Sequence, residues 1–324
     1  MKIECKTTNG LMKHLRNKHG ISISGKQKQQ LINQGYFHGY KGYRFFRNAK
    51  NVIVFNDYEQ VNQTIIFDSK LKTILYEKIM FLETAIKSVV LQFILDSTKS
   101  GSIDDMFAFV IQNYNKTDPF AITRQEKRDA QIKCLNLKTN LSSKLAKEYK
   151  KSNNKIAHFY ENNDLVPLWS LFEILMLGDF GQLASSLTFD LRDKISSYFR
   201  IPLSVDSSRV VFDQFIYALK DLRNAIAHNE IIYDARFLSF NLKKSSKIVL
   251  ENDFNIKGID FLNISDFVVL IIFFLKALKV NKTEQRMFVN QIINAIDSFK
   301  SKVGADFYDK YFTDKAKERL LLLK

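Results

Sequence analysis

Nine apolar residues between Leu71 and Phe93 (Leu71, Ile74, Leu75, Ile79, Leu82, Ile86, Val89, Val90 and Phe93) recur at spacings of mostly three and four, with no Gly or Pro among them. Such a stripe is one face of a long amphipathic helix, predicted over residues 68–95. The whole chain of 324 residues holds only 3 Pro and 11 Gly. Long helices are therefore the expectation, and an all-β sandwich or barrel, which needs frequent turns, is disfavoured. At 46% hydrophobic and 26% charged, the composition is that of a globular protein rather than a disordered one.

Further helices are predicted over residues 168–177, 210–227, 266–280 and 284–300, with a short one at the C-terminus. The first enters through Val166-Pro167 and is expected to stop at the turn Gly178-Asp179-Phe180-Gly181. Residues 136–156 read as a charged helix or a loop, and residues 98–120, with Pro119, as turns. Residues 51–55 read as extended. Residues 237–242 and 248–250, parted by Lys-Lys-Ser-Ser-Lys, have the spacing of a small β-hairpin. The expected fold class is all-α: a helical bundle with extra helices and a small β-hairpin. Its organisation is a basic helical arm over residues 1–65 and a helical domain over 66–324 with a basic insertion around 124–155. Glu83, beside the stripe and four residues before Lys87, reads as a solvated pair or as a buried contact to another helix.

Charge narrows the partner class. The net charge is +15, and residues 1–50 hold eleven Lys or Arg against Glu4 alone, while residues 124–155 hold ten against three acids. An AT-rich genome raises Lys everywhere but does not explain a first segment almost free of acids. Clustered cations of this kind suit a polyanion, and nucleic acid is the commonest. Cys5 and Cys134 make no disulfide framework. The start of the chain has no secretory pattern, and the apolar run at residues 267–275 falls far short of the roughly 20 residues a bilayer needs. A cytoplasmic protein with no membrane contact is expected.

Several chemistries lack their signatures. There is no phosphate loop, no GxGxxG, no HExxH, no zinc-spaced His/Cys group and no GxSxG, so neither a metal nor a cofactor is expected. What remains is Arg223-Asn224-Ala225-Ile226-Ala227-His228 at the end of a predicted helix. An Arg followed by a His at such a distance is expected by chance about 0.6 times in this chain; requiring the four-residue spacer and Asn directly after Arg lowers that to about 1–2%. The pattern resembles the Arg-x4–6-His signature of HEPN domains, helical domains many of which are metal-independent ribonucleases. It also has a structural reading, as a polar network at a helix end.

Those residue types suit RNA cleavage. RNA supplies its own nucleophile, the 2′-hydroxyl, so the protein needs a proton carrier and a cation for the developing phosphorane. His228 serves the first role at cellular pH, Arg223 the second. Asn224 and His228 are four apart and share a helix face, so Asn224 can orient the imidazole. Arg223 and His228 lie about 140° apart round a helix and meet only if it ends or bends there. With one histidine per motif, two copies facing one cleft in a homodimer would complete an acid–base pair.

Other stretches carry a wider resemblance. Gly35-Tyr36-Phe37-His38-Gly39-Tyr40-Lys41-Gly42-Tyr43 with Phe46, Phe67-Asp68 with Leu71, Leu82-Glu83, Ala157-His158-Phe159-Tyr160, Val166-Pro167-Leu168-Trp169 with Glu173, and the Arg223–His228 motif resemble the Abi-like (AbiD/AbiF-type) abortive-infection proteins over residues 10–235. The resemblance implies a HEPN-type bundle and a bacterial anti-phage or toxin-type ribonuclease acting on tRNA or other structured RNA. It also implies association with a small structured RNA that holds the enzyme in check. His38 stands where the family often has Arg, and Lys87 where Arg often follows the helix glutamate. Glu230 occupies the place of a Tyr that is a nucleotidylation target in one HEPN subgroup. The aromatic block, interleaved with Lys41, Arg44 and Arg47, reads equally as core or as a base-stacking surface. Lys13, Arg16, Lys18, Lys41, Arg44 and Arg47 are the candidate RNA contacts. Trp169 and His158 read as structural. The competing class is a non-catalytic protein that binds a regulatory RNA.

Overall fold

A single helix of 41 residues, Tyr58–Thr98, is the axis on which the other elements pack. It starts earlier than the periodicity predicts because Asp57 caps it, its carboxylate accepting the Gln60 N–H at 2.9 Å. Val61, Thr64 and Phe67 then extend the buried stripe backwards. At 1.5 Å per residue the helix is about 60 Å long, and Lys99 ends it in the left-handed region. The computed structural model describes residues 6–112, 123–312 and 314–324; Cys5 and Pro119 lie outside them.

The described residues form an all-α bundle. Helix Lys282–Val303 packs along the central helix, with Phe67 and Phe299 stacked at 4.5 Å between ring centroids. Helix Ile264–Ala277 is buried almost all round, as an uninterrupted apolar run inside a bundle requires. No helix among the described residues is long and apolar enough to cross a membrane. Two short helices follow, Ala305–Tyr311 and Lys315–Leu321. The second is docked by the Arg319 guanidinium, which ion-pairs with the fully buried Asp266.

Within the stretch expected as turns, Ile103–Phe109 is a helix capped by Ser102, and the structure corrects two further expectations. No β-hairpin forms: residues 248–250 lie inside helix Lys244–Phe254. The Lys-Lys-Ser-Ser-Lys spacer becomes its first turn because the Lys243 N–H and the Ser246 hydroxyl both donate to Gln214 Oε1. The backbone N–H and hydroxyl of Ser239, in the other expected strand, are instead satisfied by Asp221. Nor does Gly178-Asp179-Phe180-Gly181 stop a helix. Helix Leu168–Ile174 breaks at Leu175 and Met176, and Leu177–Ala184 starts afresh, with Asp179 accepting the Met176 N–H. Gly181 lets the helix approach Tyr217 closely: a Cβ there would lie 3.1 Å from the Tyr217 ring, which would have to shift. The basic insertion resolves as helix Arg124–Lys150, opened by a Thr123–Glu126 capping box and held by Leu137, Leu141 and Leu145.

The N-terminal segment is sewn into the same core. Met12, Leu15, Ile21, Leu31, Tyr40 and Phe55 are buried in it, and the central helix runs unbroken through residues 65 and 66. Residues 51–55 make only an isolated bridge, Val52 with Phe45. The stitch is Asp68, fully buried. One carboxylate oxygen accepts the N–H groups of Ile232 and Tyr233 at 2.9 and 3.0 Å. The other accepts the Tyr43 hydroxyl at 2.9 Å and pairs with Lys72 at 2.8 Å. Burial, and Asp68 beside it, push the Tyr43 hydroxyl far above the usual phenol range, so it stays a donor. Replacing Asp68 with Ala strands a buried ammonium and three donors. A loss of about 3–5 kcal/mol is expected, measurable as a lower urea midpoint at unchanged slope; a loss below about 1 kcal/mol would contradict the role given to this carboxylate.

Candidate active site

Helix Val211–Ala227 turns its apolar face, including Phe215, Ile216, Leu219 and Leu222, into the core and ends at the motif. The ending is a Schellman motif: Asn229 N–H donates to the Ile226 carbonyl, and Glu230 N–H to the Ala225 carbonyl at 2.8 Å. Asn229 takes the left-handed conformation, φ 55°, which Asn tolerates better than most side chains.

Arg223 and Asn224 are half-buried, and His228 is exposed. The Arg223 Nε lies 3.8 Å from Glu83 on the central helix. Glu83 is buried and also pairs with Lys87 at 3.6 Å, while Lys87 donates to the Leu175 carbonyl. Glu83 therefore makes the buried inter-helix contact, one of the two readings its position allows. At 3.8 Å this is an ion pair without a hydrogen bond, and Glu83 Oε2 has no hydrogen-bond partner among the described residues. Arg223 Nη1 donates to Asn224 Oδ1 at 3.3 Å. The guanidinium is held in place with donors left over. Asn224 and His228 are joined through the backbone, N–H to carbonyl at 2.9 Å. The side-chain bond expected between them is not formed, and Asn224 holds Arg223 instead.

Sequence reasoning missed what surrounds the helix end. Asn229 Oδ1 accepts from Lys72 at 2.8 Å, and its Nδ2 lies 3.0 Å from His38 Nε2. Because an ammonium can only donate, the amide orientation is set, so Nε2 accepts and a neutral His38 carries its proton on Nδ1. His38 sits in the π-type helix Tyr36–Lys41, a wide turn found often at functional sites. Gly35 opens that turn at φ 71°, ψ 151°, a conformation essentially reserved for glycine. The legible signals were Asn directly after His, which marks a left-handed helix end, and the Asp68–Lys72 pair set into an apolar stripe.

Of the candidate RNA contacts, Lys18, Lys41 and Arg44 line one cleft. Lys13 and Arg16 are exposed on helix Thr8–His19 outside it. Arg47 is half-buried, with its backbone N–H bonded to the buried Asp234. His158 bonds locally to Asn162. Trp169 packs against Gly101 yet is 53% exposed. Among the described residues, no three His, Cys, Asp or Glu side chains converge as a metal site would need.

A family model described as Abi-like protein matches residues 29–234, well over half of the chain. The chain belongs to the Abi-like family. No curated protein and no solved structure matches it. The matched span of this Abi-like protein begins just before the aromatic turn and ends just after Tyr233, so it encloses the whole Asp68 network and the Arg223–His228 motif.

The helix end yields a prediction. Asn229→Gly keeps the left-handed cap and should cost less than about 1 kcal/mol, whereas Asn229→Val should cost about 1–3 kcal/mol. Ring ¹⁵N shifts of His38 should report the Nδ1–H tautomer in the wild type and a mixture in Asn229→Gly. Identical shifts in both would contradict the assigned bridge.

Proposed function

We propose that this Abi-like protein is a metal-independent endoribonuclease of HEPN type that acts in phage defence on structured RNA such as tRNA. The observation that supports it best is that one helix end carries both a half-buried guanidinium, held loosely by Glu83 and Asn224, and an exposed imidazole five residues on. Arg223 binds the scissile phosphate and stabilises the charge that builds on it, since a guanidinium offers planar donors to two phosphate oxygens. His228 moves the proton: it takes one from the 2′-hydroxyl or gives one to the leaving 5′-oxygen. Attack by the 2′-oxygen on phosphorus forms one P–O bond and breaks the other. The products carry a 2′,3′-cyclic phosphate and a 5′-hydroxyl. Asn224 positions Arg223.

One histidine cannot be acid and base in the same step. The second belongs to the same motif of a partner subunit in a homodimer, as in HEPN ribonucleases. The basic N-terminal and 124–155 segments hold the RNA, either substrate or a small structured inhibitory RNA.

The test is cleavage of bulk tRNA in excess EDTA with the ends mapped. Wild type should cut and leave cyclic-phosphate ends. His228→Ala should be about 10²–10⁴-fold slower while keeping its RNA affinity. Equal cutting by both would overturn the assignment, and tight binding without cutting by either would favour the non-catalytic RNA-binding reading. If Arg223 and His228 act across the dimer, mixing Arg223→Ala with His228→Ala should restore part of the activity; no gain over the separate variants would place both in one subunit.

A further inference from the structure

A second concentration of chemistry lies away from the motif. A cleft of about 650 Å³ opens between helix Thr8–His19 and the turn Tyr36–Lys41. Lys6, Lys18, Lys41 and Arg44 line it, and among the described residues no carboxylate does. His14 and His19 face each other on its wall, ring centroids 5.0 Å apart. Tyr36 is nine-tenths buried, yet its hydroxyl has no hydrogen-bond partner among the described residues. Phe37, at the lip, is 73% exposed, with Lys41 Nζ 4.5 Å from its ring centroid.

Four gathered cations repel one another, and a buried hydroxyl without a partner is costly. Both strains are relieved by an anion that accepts hydrogen bonds. A phosphate suits the set: ammonium groups serve as point charges, Arg44 as a fork, and the Tyr36 hydroxyl as a donor. The exposed Phe37 ring beside them suits a nucleobase on the face that Lys41 leaves open. The next residue, His38, bonds to Asn229, which follows His228 in the chain, so the turn lies beside the end of the motif helix.

We propose that this cleft seats a backbone phosphate of single-stranded RNA, with the adjoining base stacked on Phe37. The proposal rests on the ribonuclease reading only for the identity of the strand. It has a consequence for pH. Burial, then Lys6, Lys18 and Lys41, hold His14 below its ordinary value; burial, then His14, Arg44, Lys18 and Lys41, do the same for His19. Tyr36 and Tyr40, packed against the pair, are raised by burial and stay neutral. Both histidines are therefore neutral in the free protein at neutral pH. A bound phosphate favours their charged forms, so protons are taken up on binding and affinity rises as pH falls, by up to about tenfold per pH unit for each proton.

The experiment is fluorescence anisotropy of a labelled 2′-O-methyl RNA 12-mer, which lacks the nucleophile, so binding is read apart from cleavage. Lys41→Gln/Arg44→Gln should weaken binding about tenfold or more and lower the salt slope by about 1.4, or 0.7 for each cation. Phe37→Ala should weaken it about fivefold or more. His14→Gln/His19→Gln should flatten the pH dependence between pH 8 and 6. Lys41→Arg should bind like wild type, which separates loss of charge from loss of fold. The proposal is overturned if the cleft variants bind like wild type, or if the loss follows Arg124→Gln/Lys127→Gln on the basic helix instead. Competition by AMP as effective as by the 12-mer would overturn the strand as ligand. Binding through the cleft with no cleavage of ordinary RNA would sink the ribonuclease reading and leave this one standing.

Discussion

A carboxylate with no exposure to water must be matched donor for donor, and Asp68 is matched from three directions at once. Tyr43 comes from the N-terminal segment, Lys72 from its own helix, and two backbone N–H groups from the chain beyond the motif. Removing any one leaves charge or donors stranded in a low-dielectric interior, so the three segments have one mutual arrangement. That arrangement brings the aromatic turn beside the end of the motif helix. The family match covers all three contributors.

The candidate site is a consequence of this stitch. Lys72, having paired with Asp68, reaches on to Asn229, and Asn229 reaches to His38. Asn229 is thus both the residue that turns the chain out of the helix and the bridge to the N-terminal segment. On the other side, Glu83, itself paired with Lys87, braces Arg223 from the central helix. His228 is left exposed between these braces, fixed at its backbone, and its ring has no hydrogen-bond partner among the described residues. A group that must exchange protons with a bound substrate is best placed in that way.

Much of this was legible in the sequence. The 3–4 periodicity from Leu71 to Phe93 and the scarcity of Pro and Gly pointed to a long central helix in an all-α bundle. Arg223 and His228 stood out by residue type and spacing. What was not legible was tertiary. Residues 248–250 look like a strand because β-branched and aliphatic residues suit both states, and only Gln214 capping the spacer decides for helix. Gly178 and Gly181 look like a stop because the close approach that Gly181 allows is to Tyr217, 36 positions away. Asn224 looks like the partner of His228 from helical spacing, but the neighbouring guanidinium takes its oxygen. His38 is more than 180 residues from the motif, with no local sign that the two meet.

The most direct test of the account is where RNA touches the protein. Photo-crosslinking with RNA carrying scattered 4-thiouridine, followed by peptide mapping, reads this without reliance on turnover. The account predicts crosslinks in two segments together, residues 35–47 and residues 223–230. Crosslinks confined to the basic helix Arg124–Lys150, or to any other surface, would contradict it.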